Sequence, residues 1–182
     1  MRAVLLKFVF LTVISAVLSS VVPATAAEET ENCKIADFLS PLPKVDVAAA
    51  KAFVSNVTYR SFSWGHGNQI EHATADGRVF LWYPGNRVIL PGKWKLLEVK
   101  IDTGFCIRKR LKLCFLYGAN TYNPVTGTRG AQWECGEYAN FHDTRVEVVP
   151  GDPLGLAKMK VPPFPLPRDS QSIAQVQAQL PH

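Results

Sequence analysis

The sequence predicts a mainly β domain, an antiparallel meander that closes into a small barrel or folds into a sandwich. Between residues 57 and 149, short runs rich in β-branched and aromatic residues alternate with turn formers such as Asp76-Gly77. Short strands at this spacing, separated by turn signals, are typical of antiparallel all-β folds. A short N-terminal helix is predicted before this domain and an extended proline-rich tail after it.

The first 26 residues have the pattern of a secretory signal peptide. Arg2 and Lys7 form a basic start, an apolar run covers residues 8–22, and an A-x-A sequence of small residues ends at Ala26. The apolar run is shorter than the ~20 residues that a membrane-spanning helix needs. We therefore predict that residues 1–26 are removed, that the mature chain has no transmembrane span, and that it is exported to the periplasm or the cell exterior.

The net charge argues against a nucleic-acid partner. The chain has 20 Lys and Arg against 15 Asp and Glu, a formal charge of +5, and loss of Arg2 and Lys7 with the signal peptide lowers this to +3. So mild a charge, outside the cytoplasm, is not typical of nucleic-acid binding. The roughly 155 residues that remain fit one domain with a sizeable core.

Two segments flank the predicted sheet. Residues 27–56 form a leader in which Asp46 can cap a helix over residues 47–54. Residues 150–182 are rich in proline, which favours extended backbone. Near the end of this tail, apolar residues recur at helical spacing and predict a second short helix.

The stretch from Phe105 to Tyr117 predicts one long strand with two different faces. One face is apolar and is predicted to enter the core: Phe105, Ile107, Leu111, Leu113, Phe115 and Tyr117. The opposite face carries the basic residues Arg108, Arg110 and Lys112. Lys109 interrupts the apolar face, and we predict a β-bulge there. The basic side chains serve either solubility and protection against edge-to-edge aggregation, or contact with an anionic partner such as acidic polysaccharide or phospholipid headgroups.

The four cysteines predict two disulfides. Cys33, Cys106, Cys114 and Cys135 all lie in the predicted mature chain, and an even count in an exported protein favours disulfides over a metal site. Cys106 and Cys114 would lie ~26 Å apart along one extended strand, too far to bond to each other. We predict that Cys114 bonds to Cys135 on the next strand, which leaves Cys33 for Cys106.

The pairing of Cys114 with Cys135 fixes a register between two strands. It places Lys112 opposite Glu137, a favourable cross-strand pair. It also places Phe115 opposite Glu134 on the face predicted to be the core. A bulge could absorb this mismatch.

No sequence motif for catalysis, a metal or a cofactor stands out, and we predict none of the three. The histidines match no metal-ligand spacing: His66, His72, His142 and His182. No G-x-S-x-G, H-E-x-x-H or P-loop sequence occurs. The carboxylates that could assemble into a glycoside-hydrolase pair are scattered: Glu71, Asp76, Glu98, Asp102, Glu134 and Glu137.

Aromatic residues recur through the predicted strands and allow two interpretations. They pack a filled core, as large aromatics do in any β domain, or they line a pocket, because a barrel of about eight strands has room for one small ligand. The residues predicted to line such a pocket are Trp64, Trp82, Trp94, Phe115 and Tyr117.

A resemblance adds to this reading. The sequences DGRVFLWYPGN, GKW, LCFLYG and WEC, in this order within residues 62–138, resemble small exported lipocalin-like proteins of unknown function from alphaproteobacteria. The resemblance implies a compact antiparallel barrel in the periplasm or cell exterior and supplies no catalytic residues. The long basic strand and the proline-rich tail depart from it.

Three functions follow as hypotheses. The first is a non-enzymatic binding protein that holds a small apolar ligand or a cell-envelope component. The second is a structural or interaction protein with a filled core that acts through its basic strand or its tail. The third is a hydrolase of cell-surface material, which two carboxylates meeting in a cleft would favour.

Overall fold

The computed structural model describes Cys33, residues 46–102 and residues 107–181. The described chain forms an antiparallel sheet that curls into a half-barrel, so the mainly β prediction is confirmed. Its strands are β1 (Val57–Ser63), β2 (Gly67–Ala73), β3 (Arg78–Trp82), β4 (Leu90–Asp102), β5 (Ile107–Tyr117), β6 (Glu134–Glu137) and β7 (Arg145–Pro150). The helices described are α1 (Val47–Val54), α2 (Tyr138–Thr144) and α3 (Ile173–Gln177).

The strands follow the order β6-β5-β4-β3-β2-β1-β7. The first six therefore form the predicted meander, with each strand beside its neighbour in sequence. The last strand departs from it, because β7 returns across the sheet to pair with β1. As a result β6 and β7 lie at opposite edges of the sheet.

Helix α1 begins where the sequence predicts. The Asp46 side chain accepts a hydrogen bond of 2.8 Å from the amide of Ala48, and this caps the first turn. Ala50 and Val54, one helical turn apart, are buried. The helix therefore packs one apolar side against the sheet.

The two faces of the sheet have separate cores. The helix face, which carries Tyr59, Val79 and Trp94, packs against α1 and α2. The tail face, which carries Ile70 and Trp82, packs against residues 154–176 of the C-terminal segment. Strands β2 and β3 contribute to both cores, because side chains alternate between the two faces along a strand.

The proline-rich tail is a structural layer of the domain. Its buried residues include Leu154, Leu156, Leu166, Ile173 and Val176. Glu147 on β7 fixes the start of α3, since its carboxylate accepts a hydrogen bond of 2.9 Å from the amide of Ile173 and lies 3.2 Å from Arg60. The sequence predicts the extended backbone and the short helix but gives no sign of this packing.

Strand β5 alternates largely as predicted, but without a bulge. Leu111 and Leu113 are buried, and β4 pairs with β5 without a register shift along the whole of β5. Lys109 remains in the regular strand because the core ends before it, and its ammonium lies 3.0 Å from Glu98. Ile107, predicted to be in the core, is 47% exposed for the same reason.

The predicted disulfide between Cys114 and Cys135 is present. The register that it fixes is also confirmed, including the pairing of Lys112 with Glu137. The second predicted disulfide involves Cys106, which lies outside the described residues. Cys33 Sγ lies 3.9 Å from the carbonyl oxygen of Ile107.

The predicted signal peptide, residues 1–26, also lies outside the described residues. Within the described part of the chain, no helix has the length and apolar character needed to cross a membrane.

Candidate ligand-binding cleft

A cleft of about 750 Å³ opens on the helix face of the sheet, beyond the part that α1 and α2 cover. Strands β2, β3, β5 and β6 contribute to its lining, together with the loop between β3 and β4. The loop between β5 and β6, residues 118–133, forms a further side and is called here the cleft loop. The cleft therefore has a rigid floor of strands and walls built partly of loops.

The lining combines aromatic rings with many hydrogen-bonding groups. The rings are Tyr83, Phe115, Tyr117 and Tyr122. The side-chain amides are Gln69, Asn86, Asn120, Asn123 and Gln132. The carboxyl groups are Glu71 and Glu134. The cleft thus brings together two of the six carboxylates that the sequence leaves scattered.

Two of the five predicted pocket residues line the cleft. Phe115 and Tyr117 lie one pleat apart on β5, with ring planes inclined by only 10° and centroids 6.4 Å apart. The three tryptophans lie elsewhere. Trp82 is on the tail face against Phe164, because its neighbour along the strand takes the helix face.

The other two tryptophans are placed by their position along the sheet. Trp94 lies further along β4, in the core beneath the helices, where its indole nitrogen donates to the carbonyl oxygen of Thr74 at 2.9 Å. Trp64 follows the last residue of β1 and is 91% exposed. Neither borders the cleft.

The floor of the cleft holds a carboxyl group between two tyrosines. The Tyr117 hydroxyl donates a hydrogen bond of 2.7 Å to Glu71 Oε1, and the Tyr59 hydroxyl donates to Oε2. Burial raises the pKa of Glu71 to about 7, although the bond from Tyr117 and the charge of Arg145 both oppose that rise. Burial and the neighbouring Glu71 also raise the pKa of Tyr117 well above its usual value.

A glycine allows Tyr117 to reach Glu71 across two intervening strands. Gly92 on β4 is opposite Tyr117, and a Cβ atom at Gly92 would lie 2.7 Å from Cδ1 of the Tyr117 ring. Only a hydrogen in that position leaves space for the ring to pass over β4. The sequence shows this glycine but gives no indication of what crosses it.

Arg145 packs against three aromatic rings, one of which is Tyr59 of the cleft floor. Its guanidinium carbon lies 4.3 Å from the ring centroids of both Phe53 and Tyr59 and 4.0 Å from that of Phe141. One guanidinium nitrogen also donates to the carbonyl oxygen of Phe53 at 3.4 Å. Burial lowers the pKa of Arg145 to about 10, so the group stays cationic at neutral pH. In the sequence, Arg145 is recognisable only as part of the predicted strand TRVEVV, and no local signal marks its role.

The cleft loop is fixed to the floor through Glu134. The amide nitrogen of Asn123 lies 3.2 Å from both Glu134 oxygens, and its amide oxygen accepts from the backbone of Val125 and Thr126. Glu134 is the residue that the sequence places opposite Phe115 as a mismatch. The pairing is present without a bulge, because Glu134 faces the cleft instead of the core.

A histidine lies at the side of the cleft. His66 Nδ1 is 3.1 Å from the Tyr83 hydroxyl oxygen. Burial lowers the pKa of His66, while the charge of Glu134 opposes this effect. His66 is therefore mainly neutral at pH 7 and offers the cleft a hydrogen-bonding group without charge.

The predicted basic surface residues lie away from the cleft, whereas Cys135 lines it. Arg108, Arg110 and Lys112 occupy the tail face of β5, on the opposite side of the sheet from the cleft. Among the described residues, no group of three or more His, Cys, Asp or Glu side chains is arranged to hold a metal ion.

Comparisons with protein-family models, with curated protein sequences and with solved structures found no match to this chain. The resemblance to lipocalin-like proteins therefore remains a prediction. The chemistry of the cleft is the guide to function.

Proposed function

We propose that this protein is an exported, non-enzymatic binding protein that holds a small amphipathic ligand in the cleft. The ligand has a flat apolar side and several hydroxyl or amide groups, as a saccharide has. The observation that carries this proposal is the combination, in one cleft, of the nearly parallel rings of Phe115 and Tyr117 with five side-chain amides.

The size of the cleft suits such a ligand. Its volume of about 750 Å³ lies within the range of a few hundred to about 1,000 Å³ that is typical of small-molecule sites. The ligand that the sequence predicts is apolar, whereas the lining is rich in amides and carboxyl groups. An apolar ligand would cover these amides without offering them hydrogen bonds, which costs free energy. A polar ligand therefore fits better.

The floor favours a ligand that can donate a hydrogen bond. Glu71 accepts hydrogen bonds from two tyrosine hydroxyls, and its two oxygens have further lone pairs that can accept more. Glu134 accepts from Asn123 and likewise retains acceptor capacity. Hydroxyl groups can donate to both carboxyl groups and accept from the amides, whereas aromatic rings contact the C–H side of a sugar.

A hydrolase is the second candidate, because Glu71 and Glu134 line the same cleft. With a pKa of about 7, Glu71 retains a proton near neutral pH and can act as an acid, while Glu134 supplies the second carboxyl group. Against this role, both Glu71 oxygens are already bonded to tyrosines. Release of reducing ends from a bound glycan would support the hydrolase and contradict a purely binding role.

Native mass spectrometry of protein purified from its own host, followed by calorimetry with the retained molecule or a series of mono- and disaccharides, tests the proposal. We expect Gln69→Ala and Glu134→Gln to weaken binding about ten-fold, the loss of one good hydrogen bond. Asn140→Ala, which removes an exposed amide on α2 outside the cleft, is the matched control and should leave affinity unchanged. The proposal fails if no saccharide binds, or if neither cleft substitution changes the affinity for the bound ligand.

A further inference from the structure

We infer that a basic strip on the tail face of β4 and β5 binds the anionic surface of a phospholipid bilayer. The basic strip consists of Lys93, Lys95, Arg110 and Lys112. The continuous register of β4 with β5 places all four on one face, because each lies an even number of residues from the next along its strand.

The C-terminal tail leaves this part of the sheet uncovered. The tail packs against Ile70 and Trp82 on β2 and β3. On β4, by contrast, Lys93 and Lys95 are exposed and Leu97 is 41% exposed. The same sheet face is therefore a buried core at one end and a solvent-facing cationic surface at the other.

The strip keeps most of its positive charge. Along the tail face of β4, β5 and β6, the alternation leaves Glu137 as the single acidic residue, opposite Lys112 and 3.9 Å from Arg110. The acidic residues of β4, Glu98 and Asp102, take the helix face. Four cations against one carboxylate give a surface that complements an anionic partner.

Apolar side chains between the cations favour a bilayer over an acidic polysaccharide. Leu97, Val99 and Ile101 follow Lys95 on the same face of β4, and the first two pair with Lys112 and Arg110 of β5. At its edge the Lys95 ammonium lies 4.1 Å from the ring centroid of Trp133, which is 38% exposed. Tryptophan, aliphatic residues and long basic side chains together suit the boundary between headgroups and acyl chains, whereas a polysaccharide offers nothing to the aliphatic groups.

The strip and the cleft lie on opposite faces of the sheet. Contact of the strip with a bilayer therefore leaves the cleft on the side away from the lipid, and the two sites can be tested separately. Protection of the sheet edge is the competing explanation for the charges, since among the described strands β6 pairs only with residues 112–115 of β5.

Co-sedimentation with phosphatidylcholine vesicles that contain or lack phosphatidylglycerol tests the inference. We expect wild-type protein to bind only the anionic vesicles, and added salt to weaken that binding. Lys95→Gln with Lys112→Gln should weaken it by about ten-fold or more. The control is Lys100→Gln with Lys109→Gln, which removes the same charge from the same two strands on the other face and should change binding by less than about two-fold.

Three outcomes would overturn the inference. If wild-type protein binds no better to vesicles that contain phosphatidylglycerol than to those that lack it, the strip serves solubility or edge protection. Equal losses from both double substitutions would show that binding follows net charge and not the strip. Capture by an acidic polysaccharide such as heparin, without any binding to anionic vesicles, would identify a glycan partner instead.

Discussion

Tyr117 and Glu71 lie on strands that are not neighbours, yet the Tyr117 hydroxyl donates a 2.7 Å hydrogen bond to the Glu71 carboxyl group. Strands β3 and β4 separate them, and the missing side chain of Gly92 lets the ring cross. The bond joins two distant parts of the sheet at the floor of the cleft. It also couples the proton affinity of Glu71 to the position of Tyr117.

Replacing Glu71 with Gln should remove a pH dependence of stability. The pKa of Glu71 rises from 4.5 to about 7 on folding, so between these values the folded protein holds a proton that the unfolded chain has lost. Stability contributed by this group therefore falls as the pH rises through this window, by on the order of 3 kcal/mol. Urea unfolding of wild type and Glu71→Gln at a series of pH values measures the difference. The prediction would be wrong if the free energy of unfolding changed with pH in the same way in both proteins.

Replacing Tyr117 with Phe should raise the pKa of Glu71 further. The phenolic hydrogen bond favours the ionised carboxylate, and without it only Tyr59 donates to the group. Stability should fall by about 1 kcal/mol, the usual contribution of such a bond. Carboxyl ¹³C NMR during a pH titration reports the pKa directly. Tyr122→Phe, at an exposed ring of the same cleft, is the control and should leave the titration of Glu71 unchanged.

Periodicity and local signals predict much of the fold. The Asp46 cap and the alternation of β5 are set by neighbouring residues, so they can be read from the sequence alone. The bond between Cys114 and Cys135 follows from a single choice of register. The mismatch of Phe115 with Glu134 was a real signal of the cleft, because a carboxylate on an apolar face marks the place where the core ends.

The rest depends on contacts between distant residues. Alternation tells which side chains share a face but not what covers that face, so it could not separate Phe115 in the cleft from Trp94 in the core. Nor does composition reveal that the proline-rich tail supplies Leu156 and Leu166 to a buried core. The Tyr117–Glu71 bond joins residues 46 positions apart, and no local pattern encodes it.

Replacing Gly92 with Ala should disrupt the floor of the cleft. The new Cβ would lie 2.7 Å from both the Leu116 carbonyl oxygen and the Tyr117 ring, so the strand or the ring must move. We expect a loss of about 1–3 kcal/mol in the free energy of unfolding, as in other overpacked sites, with loss of the bond to Glu71. Gly136→Ala is the matched control, because it also borders the cleft but has no heavy atom within 4 Å of the added Cβ. Similar stability for the two variants would contradict the steric argument.

The charge of Arg145 should influence the pKa of Glu71, whereas its stacking on aromatic rings should influence the stability of the domain. Arg145→Met removes the cation that lowers the pKa of Glu71, so that pKa should rise. Arg145→Lys keeps the charge but loses the planar group that lies over Phe53 and Phe141. Both variants should lose stability, by about 1–2 kcal/mol, but only the methionine variant should shift the NMR titration of Glu71. A shift of equal size in both variants would show that the rings, and not the charge, set its proton affinity.

Replacing Cys114 and Cys135 with alanine should loosen one wall of the cleft. Strand β6 pairs with β5 through only four residues, and the disulfide holds it there together with Glu134 and the cleft loop. A bridge that closes a loop of this size stabilises a protein by about 3 kcal/mol. We expect that loss in urea unfolding and weaker binding of any cleft ligand. Reductant should destabilise wild-type protein at least as much, and any further effect of reductant on the double-alanine variant measures the predicted bond between Cys33 and Cys106. If reductant did not change the urea unfolding of wild-type protein, neither bridge would have the stabilising role predicted for it.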